Sequence, residues 1–408
     1  MSESQQSIID KDDPKLVFAC IAMGVLGFAL FMGMPIAAEA MHSDLGYGDD
    51  LIGYMASAEY GGMFIASVIA SVFISRVDRR LLAGLGICVA IICGVLSLFF
   101  HNFNTLLPLR LLSGIGSGLG YSVAVAVMAG THDTAKNFTY FIIAQVVTNS
   151  IILYTFPYLT GEWGIDGIYS AYVLIFACGL LTLFWIPHTA EEVTGQKVTN
   201  TDEALHGLPI FLPLLCLVGI FGFYSMLGSY WTYVYLIGID LGFEADLVDD
   251  VMAGLTLLSL VGCWLALVFA RKFGQFRPFL AALIALELIL IANVFGITGT
   301  TYFLGMIGLF LFWNFIDIYQ LGTMANIDPS GRFGAMIPGA QGLAMAVSPA
   351  VAGYLLGEKG DYQVIMWMLA GLIILSIVAY SIVYAVLRNL NTTQTSDGNE
   401  PAMIETIY

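Results

Sequence analysis

Charged side chains are scarce in this sequence. Only 11% of the 408 residues are Asp, Glu, Lys or Arg, whereas 59% are hydrophobic. A helix needs about 20 apolar residues to cross a bilayer, and runs such as LLAGLGICVAIICGVLSLFF reach that length without a polar stripe. This composition argues against a soluble helical protein and predicts an all-α integral membrane protein.

Several motifs of enzymes and nucleic-acid-binding proteins are missing. Lys and Arg total 14 against 30 Asp and Glu, and the net charge of -16 argues against a nucleic-acid partner. The five histidines and six cysteines form no HxxxH, HExxH or CxxC spacing, which argues against a metal site. The sequence has no GxxxxGKS or GxxxxGKT loop and no Ser/His/Asp spacing, so we expect no ATP-driven pump, no cofactor and no enzyme.

Apolar runs recur along the whole chain and predict twelve membrane-spanning helices in two six-helix bundles. The predicted spans are 16–41, 51–75, 81–100, 105–129, 138–159, 168–187, 209–238, 247–270, 279–297, 301–325, 334–357 and 363–387. The predicted domains are a tail at 1–15, a first bundle at 16–187, a polar linker at 188–208, a second bundle at 209–387 and a disordered tail at 388–408.

The basic residues predict the orientation of the chain. All but two of the 14 Lys and Arg residues fall on one side of the predicted spans, and the exceptions are Lys359 on the other side and Arg110 inside a span. Because cytoplasmic loops carry an excess of Lys and Arg, both termini are predicted to be cytoplasmic. We expect a multi-pass protein of the plasma membrane, which would be the inner membrane in a bacterium.

Arg110 is the basic residue that the apolar spans include. A charge near the bilayer core costs about 3 kcal/mol on insertion scales, so a residue of this kind marks a functional site and needs a partner. Glu59 in the second span and Glu39 near the end of the first lie at similar predicted depth. The small residues that follow Arg110 let neighbouring helices approach the backbone of the fourth span closely; they are Gly114, Gly116, Gly118 and Gly120.

The spacing of Arg110, Gly114, Gly116 and Gly118 resembles the fourth-helix motif of the major facilitator superfamily of secondary transporters. The loop over Ser71–Arg80 keeps the basic half of that family's loop motif but has Ser71, Ser75 and Asp78 where glycine, aspartate and glycine are usual, so Asp78 is a displaced carboxylate. The resemblance implies alternating access by rocking of two six-helix halves around a midplane site. It also implies gating roles for Arg76, Asp78, Arg79, Arg80, Gly114 and Gly118.

The family's glycine-rich antiporter motif on the fifth helix is not matched, because Phe156 precedes Pro157 and the glycines are absent. This departure argues against the drug/proton antiporter subclasses.

We predict that Arg110 alternates between a carboxylate, Glu59 or Glu39, and an anionic group of the substrate. Protonation of the carboxylate would release the arginine. The alternative is a permanent salt bridge that supports the bundle.

Polar residues on other spans are further candidates. Asn314, Asp317 and Gln320 share one helical face, and Gln145 and Asn149 lie four residues apart. Each set lines the substrate cavity or forms hydrogen bonds between helices, and Asp317 is a second candidate for proton coupling. Glu287 lies in the middle of the ninth span, and the sequence indicates no role for it.

Aromatic residues are concentrated in the seventh span. Tyr224 and Trp231, with Tyr230 and Tyr233, lie on a helix that lines the cavity in the resembling family, so Tyr224 and Trp231 are predicted to contact an organic substrate. The alternative is a belt of aromatic rings at the membrane interface.

Together these features predict a proton-coupled secondary transporter of a small organic solute, with symport of an organic anion favoured. Export of amphipathic or aromatic compounds by proton exchange is the alternative, and a non-transporting membrane sensor is the remote one. The predicted partners are a small-molecule substrate, protons or else sodium, and the lipid bilayer, with the protein as a monomer.

Overall fold

The structure is a computed structural model that describes residues 13–74, 76–131, 133–188, 209–328, 333–357 and 360–396. These residues form helices and contain no strand. Twelve helical stretches are long and apolar enough to cross a membrane, which confirms the predicted fold class. The chain divides into two compact units, Met1–Asn200 and Thr201–Tyr408. Most of the predicted linker, from residue 189 to residue 208, lies outside the described residues.

The first unit contains seven described α-helices, because its first membrane-spanning stretch is interrupted. They are α1 (Pro14–Gly27), α2 (Ala29–Ser43), α3 (Asp49–Phe73), α4 (Arg79–Ser97), α5 (Phe103–Met128), α6 (Thr134–Trp163) and α7 (Ile165–Thr182). The interruption falls at Phe28, whose N–H donates to the carbonyls of Gly24 and Val25 at 3.2 and 3.1 Å. This shared hydrogen bond tightens the last turn of α1, so the predicted single span 16–41 consists of two helices.

The second unit also contains seven described α-helices. They are α8 (Phe211–Asp240), α9 (Ala245–Thr256), α10 (Leu258–Phe273), α11 (Phe276–Val294), α12 (Gly299–Ile327), α13 (Ile337–Leu356) and α14 (Tyr362–Ser396). The break between α9 and α10 lies at Leu257, inside the predicted span 247–270. Thr298 caps the start of α12 with a capping box. Its side chain accepts a hydrogen bond from the backbone N–H of Thr301, and the Thr301 side chain accepts one from the backbone N–H of Thr298.

The predicted disordered tail is wrong at its start. Residues 388–396 continue α14 as far as Ser396, whereas residues 397–408 lie outside the described part of the chain. Adding a residue to an existing helix needs no new nucleus, and neither Pro nor Gly occurs between residue 388 and Gly398. The polar composition that suggested disorder is therefore compatible with a helical extension. The other predicted tail, 1–15, ends in the cap of α1, where Asp13 accepts a hydrogen bond from the N–H of Lys15.

Large apolar side chains cover much of the outer surface of the helices. Phe18, Trp264, Leu288 and Trp367 are each more than half exposed to solvent in the absence of a bilayer. Soluble monomers rarely expose contiguous apolar surface on this scale, so these side chains indicate contact with lipid. All six cysteines are free, and Cys88 and Cys178 are exposed on this surface.

The centre of the first unit is α5, which packs against α3, α4 and α1. Its glycines lie where these helices come closest. A Cβ atom added to Gly114 would meet the backbone carbonyl of Glu59 on α3, and one added to Gly118 would lie 2.8 Å from the Cα of Met63. Gly116 faces the backbone of Gly86 on α4 in the same way. The predicted close approach along this glycine series is thus present.

We expect Gly114→Ala to destabilise the protein, because the added methyl group would force α3 and α5 apart at a cost of about 1–3 kcal/mol. Gly161→Ala is the matched control, since it also lies in a helix of the first unit and has open space where its Cβ would be. This control should leave stability unchanged or raise it by up to about 1 kcal/mol. Thermal unfolding of the purified variants in detergent measures both, and equal unfolding temperatures would contradict the close packing.

Candidate transport site

The first unit buries an ion pair between α3 and α5. Arg110 Nη1 lies 3.2 Å from Glu59 Oε1, and their side chains are only 1% and 5% exposed. The contact depends on the glycines described above, because Gly114 lies against the backbone of Glu59 itself. A buried arginine needs an opposite charge, and this sequence provides it from the neighbouring helix.

Tyr169 on α7 provides the second contact of the guanidinium. Its ring centroid lies 4.8 Å from Arg110 Cζ, within the range of a cation–π interaction. Among the described residues, Arg110 Nε and Nη2, Glu59 Oε2 and the Tyr169 hydroxyl have no hydrogen-bond partner. The guanidinium is therefore held by one carboxylate oxygen and one aromatic face, and it retains donors for a further acceptor.

Glu39 does not share this contact. Among the described residues, Glu59 is the carboxylate that forms an ion pair with Arg110. Glu39 is half-buried on α2, close to Asp44 and His42. Of the two carboxylates that the sequence offered as partners, the structure places Glu59 against the arginine. A role for Glu39 in proton coupling remains a prediction.

The second unit holds a carboxylate with neutral partners. The Tyr224 hydroxyl on α8 donates to Asp317 Oδ1 at 2.8 Å, and Gln341 Nε2 on α13 donates to the same oxygen at 3.2 Å. Asp317 and Asn314 are half-buried, whereas Gln320 is fully buried and neither of its amide atoms has a partner among the described residues. Asn314, Asp317 and Gln320 thus lie on one helix at the predicted spacing, but Gln320 is more deeply buried than the other two.

Trp231 lies inside the second unit. It is fully buried and makes edge contacts with Phe310 and Trp313, each with ring centroids 5.8 Å apart. Tyr230 and Tyr233 are also buried. The alternative of an interfacial aromatic belt is therefore wrong for these rings, because belt residues face lipid headgroups and these rings fill the space between helices.

Three other polar residues of the spans differ in their surroundings. On α6, Gln145 is half-buried, and Asn149 is buried with its Oδ1 unpaired among the described residues. On α11, Glu287 is buried and neither carboxylate oxygen has a described partner. In the part of the chain that the structure describes, no hydrogen bond or ion pair joins these three side chains to Arg110 or Asp317.

The loop before α4 is attached to the end of the first unit. Asp78 accepts hydrogen bonds from the N–H groups of Arg80 and Leu81 at 2.8 and 3.1 Å, which caps α4. Its other oxygen lies 2.5 Å from Nδ1 of His188, and Arg80 Nε donates to the carbonyl of Ile186. Burial alone would raise the pKa of Asp78, but the hydrogen bonds from His188 and these N–H groups outweigh it and lower the pKa.

The remaining basic residues of this loop differ in exposure. Arg76 is exposed, whereas Arg79 is buried. The backbone N–H of Arg79 donates to the backbone carbonyl of His188 at 2.9 Å. The basic half of the loop motif therefore contacts the segment that leaves the first unit. The gating roles of Arg76, Asp78, Arg79 and Arg80 remain predictions.

Comparison with known families decides the class of the protein. Residues 19–328 match the sequence profile of the Major Facilitator Superfamily. The chain belongs to this superfamily. It is therefore a multi-pass membrane transporter, which agrees with the resemblance of the helix-4 motif.

Relatives agree with this assignment over nearly the whole chain. The quinolone resistance protein NorA of Staphylococcus aureus (strain MRSA252) is 22% identical over 382 residues, covering 86% of this chain and 94% of NorA. The crystal structure of the nucleoside transporter NupG superposes with a TM-score of 0.69 at 15% identity and covers 90% of this chain and 99% of its own. The crystal structure of a D-xylose-proton symporter superposes with a TM-score of 0.70 at 15% identity, and the match covers 89% of this chain and 96% of the symporter. These structures support the fold.

Sequence reasoning missed Tyr169 and Gln341 as members of the two polar clusters. Gln341 has a usable signal, since it is a lone amide in an apolar span. Tyr169 has no such signal, because aromatic residues are frequent in the spans of this protein. Its contact with Arg110 depends on how α5 and α7 lie relative to each other.

We expect Arg110→Ala to lower the free energy of unfolding by about 3–5 kcal/mol, because it leaves Glu59 buried without a counter-charge. The double variant Glu59→Leu/Arg110→Met should recover most of that loss, since it removes both charges. Exposed Arg271→Ala is the control and should change stability by no more than about 0.5 kcal/mol. Thermal unfolding of the four proteins measures the effect, and equal losses for Arg110→Ala and Arg271→Ala would show that the ion pair contributes nothing.

The contribution of Asp78 should depend on pH. Its pKa is lower in the folded protein, so its carboxylate stabilises the fold above the ordinary aspartate pKa of about 4, and this stabilisation is lost as the pH falls below that value. Asp78→Asn should therefore unfold at a lower temperature than the wild type near neutral pH, and the difference should shrink in acid. Exposed Asp240→Asn serves as the control. A difference for Asp78→Asn that is the same at all pH values would contradict the assignment.

Proposed function

We propose that the protein is a proton-coupled secondary transporter that takes up a small organic anion by alternating access. The observation that carries this proposal is the buried Arg110–Glu59 pair, at 3.2 Å, with guanidinium donors that the described residues leave unused. An arginine offers a planar fork that matches a carboxylate with two parallel hydrogen bonds. The pair is thus a place where a substrate carboxylate can replace a protein carboxylate.

Exchange of partners links the anion to the proton. While Glu59 is ionised, it neutralises Arg110 and opposes the arrival of a second anion. When Glu59 takes up a proton, the guanidinium loses its counter-charge in a region where an unpaired charge is costly, and a substrate carboxylate restores neutrality. The anion therefore binds best to the protonated state, and thermodynamic linkage requires that the anion in turn favour proton binding.

The basic residues of the loops support a location and an orientation for the protein. We propose a plasma-membrane protein with both termini in the cytoplasm, because nearly all Lys and Arg residues fall on the side of the termini. We further propose that one chain suffices, with Gly114 and Gly118 allowing α5 to move against α3. The D-xylose-proton symporter with the same fold supports proton symport as the mode of coupling.

Export of aromatic compounds by proton exchange is the second candidate. It is favoured by the half-buried Asp317, which lies one helical turn from Trp313 on α12 and whose hydrogen-bond donors among the described residues, Tyr224 and Gln341, are neutral. A carboxylate beside an aromatic ring suits an aromatic or cationic solute. The relative named as a quinolone resistance protein agrees with this candidate. In this case Asp317 carries the proton, and Tyr224, Asn314 and Gln341 surround the substrate.

A thermal-shift screen separates the two candidates. The purified protein is unfolded with small carboxylates, such as benzoate and citrate, and with aromatic cations, such as ethidium, at about pH 5.5 and about pH 7.5. A carboxylate at roughly 100 times its Kd should raise the unfolding temperature by about 3 °C, and more strongly at the lower pH. Arg110→Lys keeps the charge but lacks the fork and should lose this shift, whereas exposed Arg271→Lys should keep it.

The opposite pattern would overturn anion symport. If ethidium stabilises the protein, ignores Arg110→Lys and loses its effect with Asp317→Asn, export becomes the function. Proteoliposomes with an imposed pH gradient then give the direction, because a symporter accumulates its solute on the alkaline side and an exchanger on the acidic side.

A further inference from the structure

A histidine–aspartate pair of the first unit joins the starts of α5 and α7. His101 Nε2 lies 2.8 Å from Asp166 Oδ1, and the two side chains are 36% and 43% exposed. His101 directly precedes Asn102, the cap of α5, and Asp166 lies in the first turn of α7. The pair therefore links two helices at their ends, within reach of water.

The connection between α2 and α3 supports the pair from one side. The Tyr47 hydroxyl donates to the carbonyl of His101 at 2.7 Å, and the N–H of Ile165 donates to Asp44 Oδ2 at 2.7 Å. His42 Nδ1 lies 3.1 Å from the carbonyl of Tyr47. The titratable groups near the pair are His42, Asp44 and Tyr47 from this connection and, deeper, Tyr169 from α7 with Glu59 from α3 and Arg110 from α5 beside it, while Tyr54 from α3 contacts Phe103 at the start of α5.

The same two helices bring Tyr169 and Arg110 together. Tyr169 follows Asp166 by three residues, about 4.5 Å further along α7 and on the same side of the helix. Its ring lies 4.8 Å from Arg110 Cζ, and it is close enough to Asp166 and Glu59 for electrostatic interaction. The His101–Asp166 pair and the contact of Tyr169 with Arg110 thus join the same two helices at successive depths.

Tyr169 gains importance when Glu59 is neutral. Arg110 then has no carboxylate, and the aromatic face of Tyr169 is the described contact that remains. Histidine is the side chain whose charge ordinarily changes between about pH 5 and 8. A charged histidine attracts a carboxylate more strongly than a neutral one, because Coulomb attraction between opposite charges is added to the hydrogen bond.

We propose that His101 and Asp166 form a proton-responsive clamp between α5 and α7 that positions Tyr169 on Arg110 while Glu59 is protonated. The inference rests on the proposed exchange of partners at Arg110. Acid closes the clamp and neutralises Glu59 together, which holds the guanidinium in place for the incoming anion.

A double-mutant cycle tests the clamp without any ligand. His101→Asn, Tyr169→Leu and their combination are unfolded thermally at about pH 5.5 and about pH 8. The two residues make no contact with each other in the structure, so without a clamp their effects should add. We expect the changes in unfolding temperature caused by the two substitutions to deviate from additivity by about 2 °C at the lower pH and to be additive at the higher pH. His42→Asn is the matched control and should add with Tyr169→Leu at both pH values.

The outcomes separate the clamp from the proposed function. Additive effects of His101→Asn and Tyr169→Leu at both pH values overturn the clamp, while Arg110-dependent benzoate binding would still support symport. Acid-specific coupling without Arg110-dependent benzoate binding supports the clamp and overturns symport. If Tyr169→Leu yields no folded protein, the cycle of His101→Asn with Arg110→Lys replaces it, with the same expected coupling in acid.

Discussion

A guanidinium group placed among apolar helices needs an opposite charge within a few ångströms, and the first unit is built around that requirement. Arg110 finds Glu59 on the next helix because Gly114 on α5 lets the two backbones meet at that level. A larger residue at this position would separate the charges, and each would then carry its full cost of desolvation. The glycine series and the ion pair are therefore one structural feature. The contact with Tyr169 completes it from the side of α7.

The two units solve the problem of an intramembrane charge in different ways. In the first, a cation faces an anion, so proton binding by one partner changes the charge balance of the other. In the second, Asp317 accepts hydrogen bonds from Tyr224 and Gln341, which are neutral at any pH near 7. Such a carboxylate suits a cation or a proton, whereas the freed arginine suits an anion. The choice between the two candidate functions is thus a choice of which cluster contacts the solute.

The loop between α3 and α4 shows how a departure from a family motif is accommodated. The usual aspartate is absent, and Asp78 lies later in the loop, where it caps α4 and contacts His188. Its negative charge sits beside Arg79 and Arg80 at the positive end of the helix dipole. The carboxylate therefore stabilises a helix start that the two arginines would otherwise disfavour. The same contacts attach the loop to the segment that leaves the first unit.

Hydropathy alone is enough to predict the twelve spans, because crossing a bilayer requires about 20 apolar residues and runs of that length recur along the chain. The amino-acid sequence also shows that Arg110 needs a partner and that its helix can pack closely. Three contacts follow from the packing of the helices: Glu59 and not Glu39 pairs with Arg110, Tyr169 covers the guanidinium, and Trp231 fills the interior instead of facing headgroups. Hydropathy and spacing are properties of one segment, whereas these contacts depend on which faces of separate helices meet, and that is set by packing across the whole unit.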